Sequence, residues 1–251
     1  MNRSTTKRVG PQSAGRQSGG SGGPNRDLFI IDDYDSIPAG ELRSIAGSTG
    51  AWIKAIVRRT FRPSQTLPSY AVELGRLVPA KHIPKRMVKY FDALRSELQS
   101  LGFSANFEAT IPAIGPYSAA MMGMSRRDGD VHFVANRVTR QVGQELVDDG
   151  DFRFMSWLTD GTTLITATEN ELVPTRGGFD FAAVPSDDPD TVLKKHRERM
   201  RRLPVVAVEP PELFSRVEAE SRQQAEDLLR RRIIRFATPA EVTRIRMKMR
   251  V

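Results

Sequence analysis

The 251-residue chain contains no cysteine. That absence excludes disulfides, thiolate catalysis and cysteine-ligated metal sites together. No apolar run approaches the roughly 18 to 20 residues that a bilayer-spanning helix needs. The N-terminus is basic but carries no apolar stretch of the secretory type. The expected compartment is therefore the cytoplasm, with peripheral contact at a membrane as the further reading. Histidine is scarce: His82, His132 and His196 are the full set. No two of them have metal-ligand spacing, and HExxH is missing, as are the phosphate- and dinucleotide-cradling patterns GxxxxGK[ST] and GxGxxG. Residues 1–27 hold no aromatic side chain and are dominated by Ser, Gly, Arg and Asn. They cannot bury enough apolar surface to offset the entropy of ordering, and read as a disordered basic tail.

What is present begins with two hairpin signals. Asp151 to Glu169 joins two strand-like runs through Asp160-Gly161, and Tyr117 to Val138 does the same through Asp128-Gly129. Asp-Gly supplies the positive φ values of a two-residue primed turn. Such a turn at Asp160-Gly161 sets Trp157 opposite Leu164, and one at Asp128-Gly129 sets Ser125 opposite His132. In the second hairpin both faces are apolar, so the sheet is expected to be covered on both sides, by helices or by a second subunit.

Helical spacing is clear from Pro84 to Leu101, where Met87, Phe91, Leu94, Leu98 and Leu101 share a face. A second helix is expected from Asp188 to Leu203, started by Ser186, Asp187 and Asp188, and a third from Glu212 to Arg232. The last residues are ambiguous. Thr238-Pro239-Ala240-Glu241 suits a helix cap, yet Ile245, Met247, Met249 and Val251 alternate with basic residues at period two. A strand pairing with Ile233 to Phe236 is the favoured reading. Nearer the N-terminus, Leu28 to Ile37 suits an edge strand. Leu42 to Phe61 suits a helix broken at Gly47-Ser48-Thr49-Gly50, and Pro63 to Pro84 a linker with a strand-like stretch at Tyr70 to Val78.

The expected fold is α+β: a central antiparallel sheet of four to six strands built from two tandem Asp-Gly hairpins and flanked by helices. A basic, mostly helical C-terminal appendage follows. Four regions result: a disordered tail (1–27), an amphipathic helix with a proline-rich linker (28–83), the α+β core (84–203) and the appendage (204–251).

The net charge of +8 is unevenly placed. Residues 1–190 carry 22 basic and 22 acidic side chains, whereas residues 191–251 carry 16 and 8. Candidate anion-binding residues are Arg230, Arg231, Arg232, Arg235, Arg244, Arg246, Lys248 and Arg250, which could neutralise phosphates. Phe236 is the only aromatic among them, so no base-stacking platform is indicated. Three acidic clusters, at Asp32-Asp33-Asp35, Asp148-Asp149-Asp151 and Asp187-Asp188-Asp190, lack calcium-loop spacing. The second reads as a turn before a strand, the third as negative charge at a helix N-terminus. His196 lies on the apolar stripe between Val192 and Met200. A buried histidine bonded to a backbone carbonyl is the expected role, a general base the rival.

The order Leu98-Gln99-Ser100-Leu101-Gly102-Phe103, a hairpin, Leu158-Thr159-Asp160-Gly161-Thr162 with Thr166, and then Leu193-Lys194-Lys195-His196-Arg197 resembles an uncharacterised group of bacterial proteins. The resemblance spans about residues 80–203 and implies a shared fold without an established activity. Some of those proteins carry membrane segments, which this chain lacks. The functional expectation is a non-catalytic binding or scaffold protein with a protein partner. Two alternatives are an anionic partner (nucleic acid or a membrane surface) held by the basic end, and an enzyme using His196. Self-association through the sheet is a further expectation, and no cofactor is implied.

Overall fold

The computed structural model describes residues 30–32, 37–38, 40, 68–69, 77–81, 83–111, 117–142, 145–168 and 177–249. The expected tail, the Leu42 to Phe61 helix with its Gly47 to Gly50 break, most of Tyr70 to Val78, His82 and Arg250 lie outside them. In chain order the elements are β1 (Ile30–Asp32), β2 (Pro68–Ser69), β3 (Val78–Pro79), α1 (Lys85–Ser100), β4 (Phe103–Ile111), β5 (Tyr117–Arg126), β6 (His132–Val142) and β7 (Glu145–Leu158). They continue with β8 (Thr163–Ala167), β9 (Phe179–Ala183), α2 (Pro189–Met200), β10 (Val205–Val206), α3 (Leu213–Arg230), β11 (Ile234–Phe236) and α4 (Pro239–Met249).

The fold is α+β. One sheet of eight strands runs β3-β4-β5-β6-β7-β8-β9, with β10 paired to the end of β7, and a small second sheet runs β11-β1-β2. Every pairing in the large sheet is antiparallel except β8 with β9, which is parallel. Eight strands exceed the four to six expected. β3 and β10 are two-residue pairings beside prolines, too short to carry a periodicity, and β9 is joined from a distance rather than by a hairpin.

Both faces of the sheet are apolar, and helices of the same chain cover both. On one side α1 and α2 bury Met87, Phe91, Leu98, Val192 and Leu193 against Met122, Met124, Phe133 and Phe154. On the other, α3 places Leu213 and Val217 over Met121, Val134, Met155, Trp157 and Ile165. The C-terminal segment is mostly helical, and its first helix is built into the domain as the second cover.

Asp188 caps α2 as expected, accepting from the Asp190 and Thr191 backbone N–H groups. Residues 239–249 are helix rather than the favoured strand. Thr238 and Glu241 form a reciprocal capping box: the Thr238 N–H donates to Glu241 Oε2 (2.8 Å) and the Glu241 N–H to Thr238 Oγ1 (3.4 Å). That local cap overrides the period-two alternation, and Ile234–Phe236 pairs with β1 instead.

The first hairpin has the expected register, with Ser125 opposite His132. The second is shifted by one residue. Trp157 faces Thr163, and Ser156 faces Leu164. The Leu158 N–H donates to the Thr162 carbonyl (2.8 Å), the Gly161 N–H to the Leu158 carbonyl (3.1 Å), and Gly161 takes φ +85°. The loop therefore holds three residues and ends in a left-handed glycine, a common alternative to the two-residue turn. Because side chains alternate, the shift exchanges the two faces of β8. Thr163 and Ile165 point to α3, and Leu164 and Thr166 to α2.

Trp157 is buried, 8% exposed, in the α3 layer. Its replacement by alanine is expected to cost about 3–5 kcal/mol, measured by urea denaturation. A variant that unfolds at the wild-type midpoint would contradict this placement.

Candidate binding site

Among the described residues, the most catalytic-looking constellation is on the α2 face. His196 is completely buried, with Nε2 3.0 Å from Ser156 Oγ and Nδ1 3.0 Å from Thr166 Oγ1. The expected backbone-carbonyl partner is absent from this arrangement because β7 delivers the Ser156 hydroxyl to one ring nitrogen and β8 the Thr166 hydroxyl to the other. The surrounding bonds fix the protons. Ser156 Oγ donates to the Asp130 carbonyl (2.6 Å), so it accepts from His196 Nε2–H. Arg199 Nη1 donates to Thr166 Oγ1 (2.7 Å), leaving the threonine proton for Nδ1. The ring is thus neutral. A serine nucleophile needs the reverse polarity, with the imidazole accepting its proton, and it needs access. Ser156, Thr166 and His196 are all fully buried. Burial, followed by electrostatic opposition from Arg199, His132 and Arg197, lowers the His196 pKa to about 3.

His132, on the α3 face, is also fully buried. Its Nε2–H donates to the Gly129 carbonyl (3.0 Å), Nδ1 accepts from Ser125 Oγ (2.7 Å), and burial lowers its pKa to about 4. Gly129 itself has φ +66°, and a Cβ there would lie 2.8 Å from the Val208 carbonyl oxygen.

A second polar cluster sits under α3. Trp157 Nε1 donates to Glu220 Oε1, and Thr163 Oγ1 donates to the same oxygen (2.8 Å). Burial raises the Glu220 pKa, and Oε2 is buried without a hydrogen-bond partner among the described residues. Arg153 lies close enough to Glu220 to act on its charge.

Next to this cluster, between the C-terminal half of α3 and strands β4 to β7, is a cavity of about 350 Å³. Its apolar floor is Ile111, Met121 and Val138, and its polar wall includes Asn136, Asp149, Asp151, Arg153 and, from α3, Ser221 and Gln224. Three buried atoms on these residues have no hydrogen-bond partner among the described residues: Asn136 Oδ1, Arg153 Nε and Gln224 Nε2. Buried polar atoms are normally satisfied, so the cavity wall holds unspent hydrogen-bonding capacity of both kinds, donor and acceptor.

The acidic run that reads as a turn is in fact the middle of β7, paired with β6 through Asp148 opposite Thr139, Asp149 opposite Val138 and Asp151 opposite Asn136. Strand alternation sends Asp149 and Asp151 to the cavity, while Asp148 pairs with Arg137 (2.7 Å). Asp187 to Asp190 caps α2, and no group of three or more potential metal ligands is found among the described residues.

Among the described residues, three of the candidate anion-binding side chains are held in ion pairs. Arg230 and Arg231 both pair with the buried Asp227 (2.5 and 2.8 Å), and Arg235 holds Glu241 through two 2.8 Å bonds. Arg232 and Arg244 are exposed, and the side chains of Arg246 and Lys248 lie outside the described residues. No helix among the described residues is long and apolar enough to cross a membrane. Comparison with protein-family models, curated proteins and solved structures finds no match for this chain.

Both histidines hold their neutral form when folded but take up a proton near pH 6.5 when unfolded. Stability is therefore full above that pH and falls as pH drops, until the folded pKa values near 4 and 3 are reached. Each histidine is expected to add a slope of about 1.4 kcal/mol per pH unit between roughly pH 6 and 4. Urea denaturation of wild type and His196→Gln over that range checks this: parallel stability profiles would refute it.

Proposed function

We propose that this protein acts by binding rather than by covalent chemistry, and that the cavity beneath α3 is where it binds. One observation carries this reading. The Ser156–His196 couple is sealed and committed to structural hydrogen bonds, whereas the cavity wall carries three buried polar atoms without a partner among the described residues, two donors and an acceptor. The expected protein partner has less support. Among the described residues the exposed large apolar side chains, Val88, Leu203, Phe236 and Met247, stand on separate segments, whereas protein-binding surfaces gather such residues into a patch.

The test is a thermal-shift screen of polar metabolites against the full chain, followed by mass spectrometry of each compound that raises Tm. Compounds are expected back unchanged, and Ser156→Ala is expected to bind them as wild type does. Recovery of a chemically altered compound in proportion to protein would overturn the reading.

A second reading, an anionic partner, is favoured by the outer end of α2. There Arg197, Arg201 and Arg202 are exposed, and no ion pair engages them among the described residues. Charge-driven binding must weaken steeply with salt, because each neutralised phosphate releases condensed counterions. On a heparin column the wild type is expected to elute later than an Arg197→Gln/Arg201→Gln/Arg202→Gln variant, and Arg232→Gln/Arg244→Gln at the wild-type salt concentration. Identical elution of all three proteins would dismiss this surface.

A further inference from the structure

We propose that the cavity between α3 and strands β4 to β7 is a site for a small zwitterion with an apolar side chain, of the size and chemistry of a free amino acid. This inference rests on the reading that the protein binds through this cavity, and it names the ligand class. Along β7, Asp149, Asp151 and Arg153 alternate onto the cavity face, each about 6.7 Å from the next along the strand. Arg153 engages no hydrogen bond or ion pair among the described residues, and its Nε is buried and unpartnered. A guanidinium and two carboxylates thus line one wall without neutralising one another within salt-bridge distance.

The ligand class follows from that juxtaposition. A simple anion of this size would meet Asp149 and Asp151, and a simple cation would meet Arg153. A molecule bearing both charges matches both ends. Its carboxylate suits the two unpartnered donors, Arg153 and Gln224, since a guanidinium recognises carboxylates by parallel N–H donation. Its ammonium suits Asp149, Asp151 and the unpartnered Asn136 Oδ1, which faces Asp151 across the strand pair. Ile111, Met121 and Val138 supply the floor for an aliphatic side chain. The volume of about 350 Å³ lies at the small end of ligand pockets, the size range of a single amino acid.

The test is calorimetric titration of the full chain with L-leucine, L-methionine and L-valine. The controls are isocaproate, which is leucine without its amine, and isoamylamine, which is leucine without its carboxylate. At least one amino acid is expected to bind, with each one-charge analogue weaker by about tenfold or more, the step that corresponds to roughly 1.4 kcal/mol. Arg153→Met is expected to lower the amino-acid affinity by a similar factor. If that variant fails to fold, Gln224→Leu on the helix wall is the deciding substitution. Failure of all three amino acids to bind at millimolar concentration would overturn the proposal. So would isocaproate binding as well as leucine, or a folded variant with undiminished affinity. Conversion of a bound amino acid to product would instead overturn the non-catalytic reading and leave the site standing.

Discussion

The one-residue shift between β7 and β8 decides which side chains meet across the whole domain. With Gly161 in a left-handed conformation closing a three-residue loop, Thr166 turns toward α2 and Thr163 toward α3. Thr166 then completes the hydrogen bonding of His196, and Thr163 that of Glu220. In the opposite register each threonine would face the other layer, leaving two buried polar groups without their hydroxyl partners. Leaving such groups unsatisfied is costly. Arg199 depends on the same register, since it donates to the Ile165 carbonyl and Thr166 Oγ1 as well as to Asp180 on β9. It thereby ties the lone parallel strand to the helix above it.

Polar groups in the two layers are treated differently. Around His196 they form closed chains from donor to acceptor, ending on the Asp130 carbonyl, while farther along that face Arg137 Nε and Thr139 Oγ1 have no partner among the described residues. On the α3 side the chain from Trp157 and Thr163 stops at Glu220, and the neighbouring Arg153, Asn136 and Gln224 are left open. A buried polar network that is fully satisfied rigidifies a core, and one left open is out of place in a purely structural layer. The contrast separates the His196 network from the cavity by role, although the two faces of the sheet are equally apolar in pattern.

Much of this architecture is legible in the residues. The α1 stripe of Met87, Phe91, Leu94 and Leu98 and the Asp188 cap come from local rules that the structure obeys, and the Ser125–His132 register is met although the loop between Arg126 and Val131 is not a two-residue primed turn. The two apolar faces announce the two helical covers. The rest depends on non-local choices. Asp-Gly permits both a two- and a three-residue loop, and only the packing of both faces selects between them. Ile245, Met247 and Met249 alternate like a strand, but the Thr238–Glu241 cap is worth more than that pattern. The cavity was hidden because Asp148-Asp149-Gly150-Asp151 has the composition of a turn. Only pairing with β6 shows that these residues stand in a strand and that alternate ones share a wall with Arg153.

The layers also differ in how far along the chain their partners lie. The hairpins from β4 to β8 pair neighbours in sequence, but Ser156 meets His196 forty residues later and Trp157 meets Glu220 sixty-three residues later. During synthesis at about 5–20 residues per second, the strands leave the ribosome several seconds before α2 and α3. For that interval α1, made before the strands, is the single cover for Phe133 and Phe154, and Met155 stands on a bare α3 side. The half-covered sheet is the species that chaperones would meet, and its uncovered face is the one that bears the cavity.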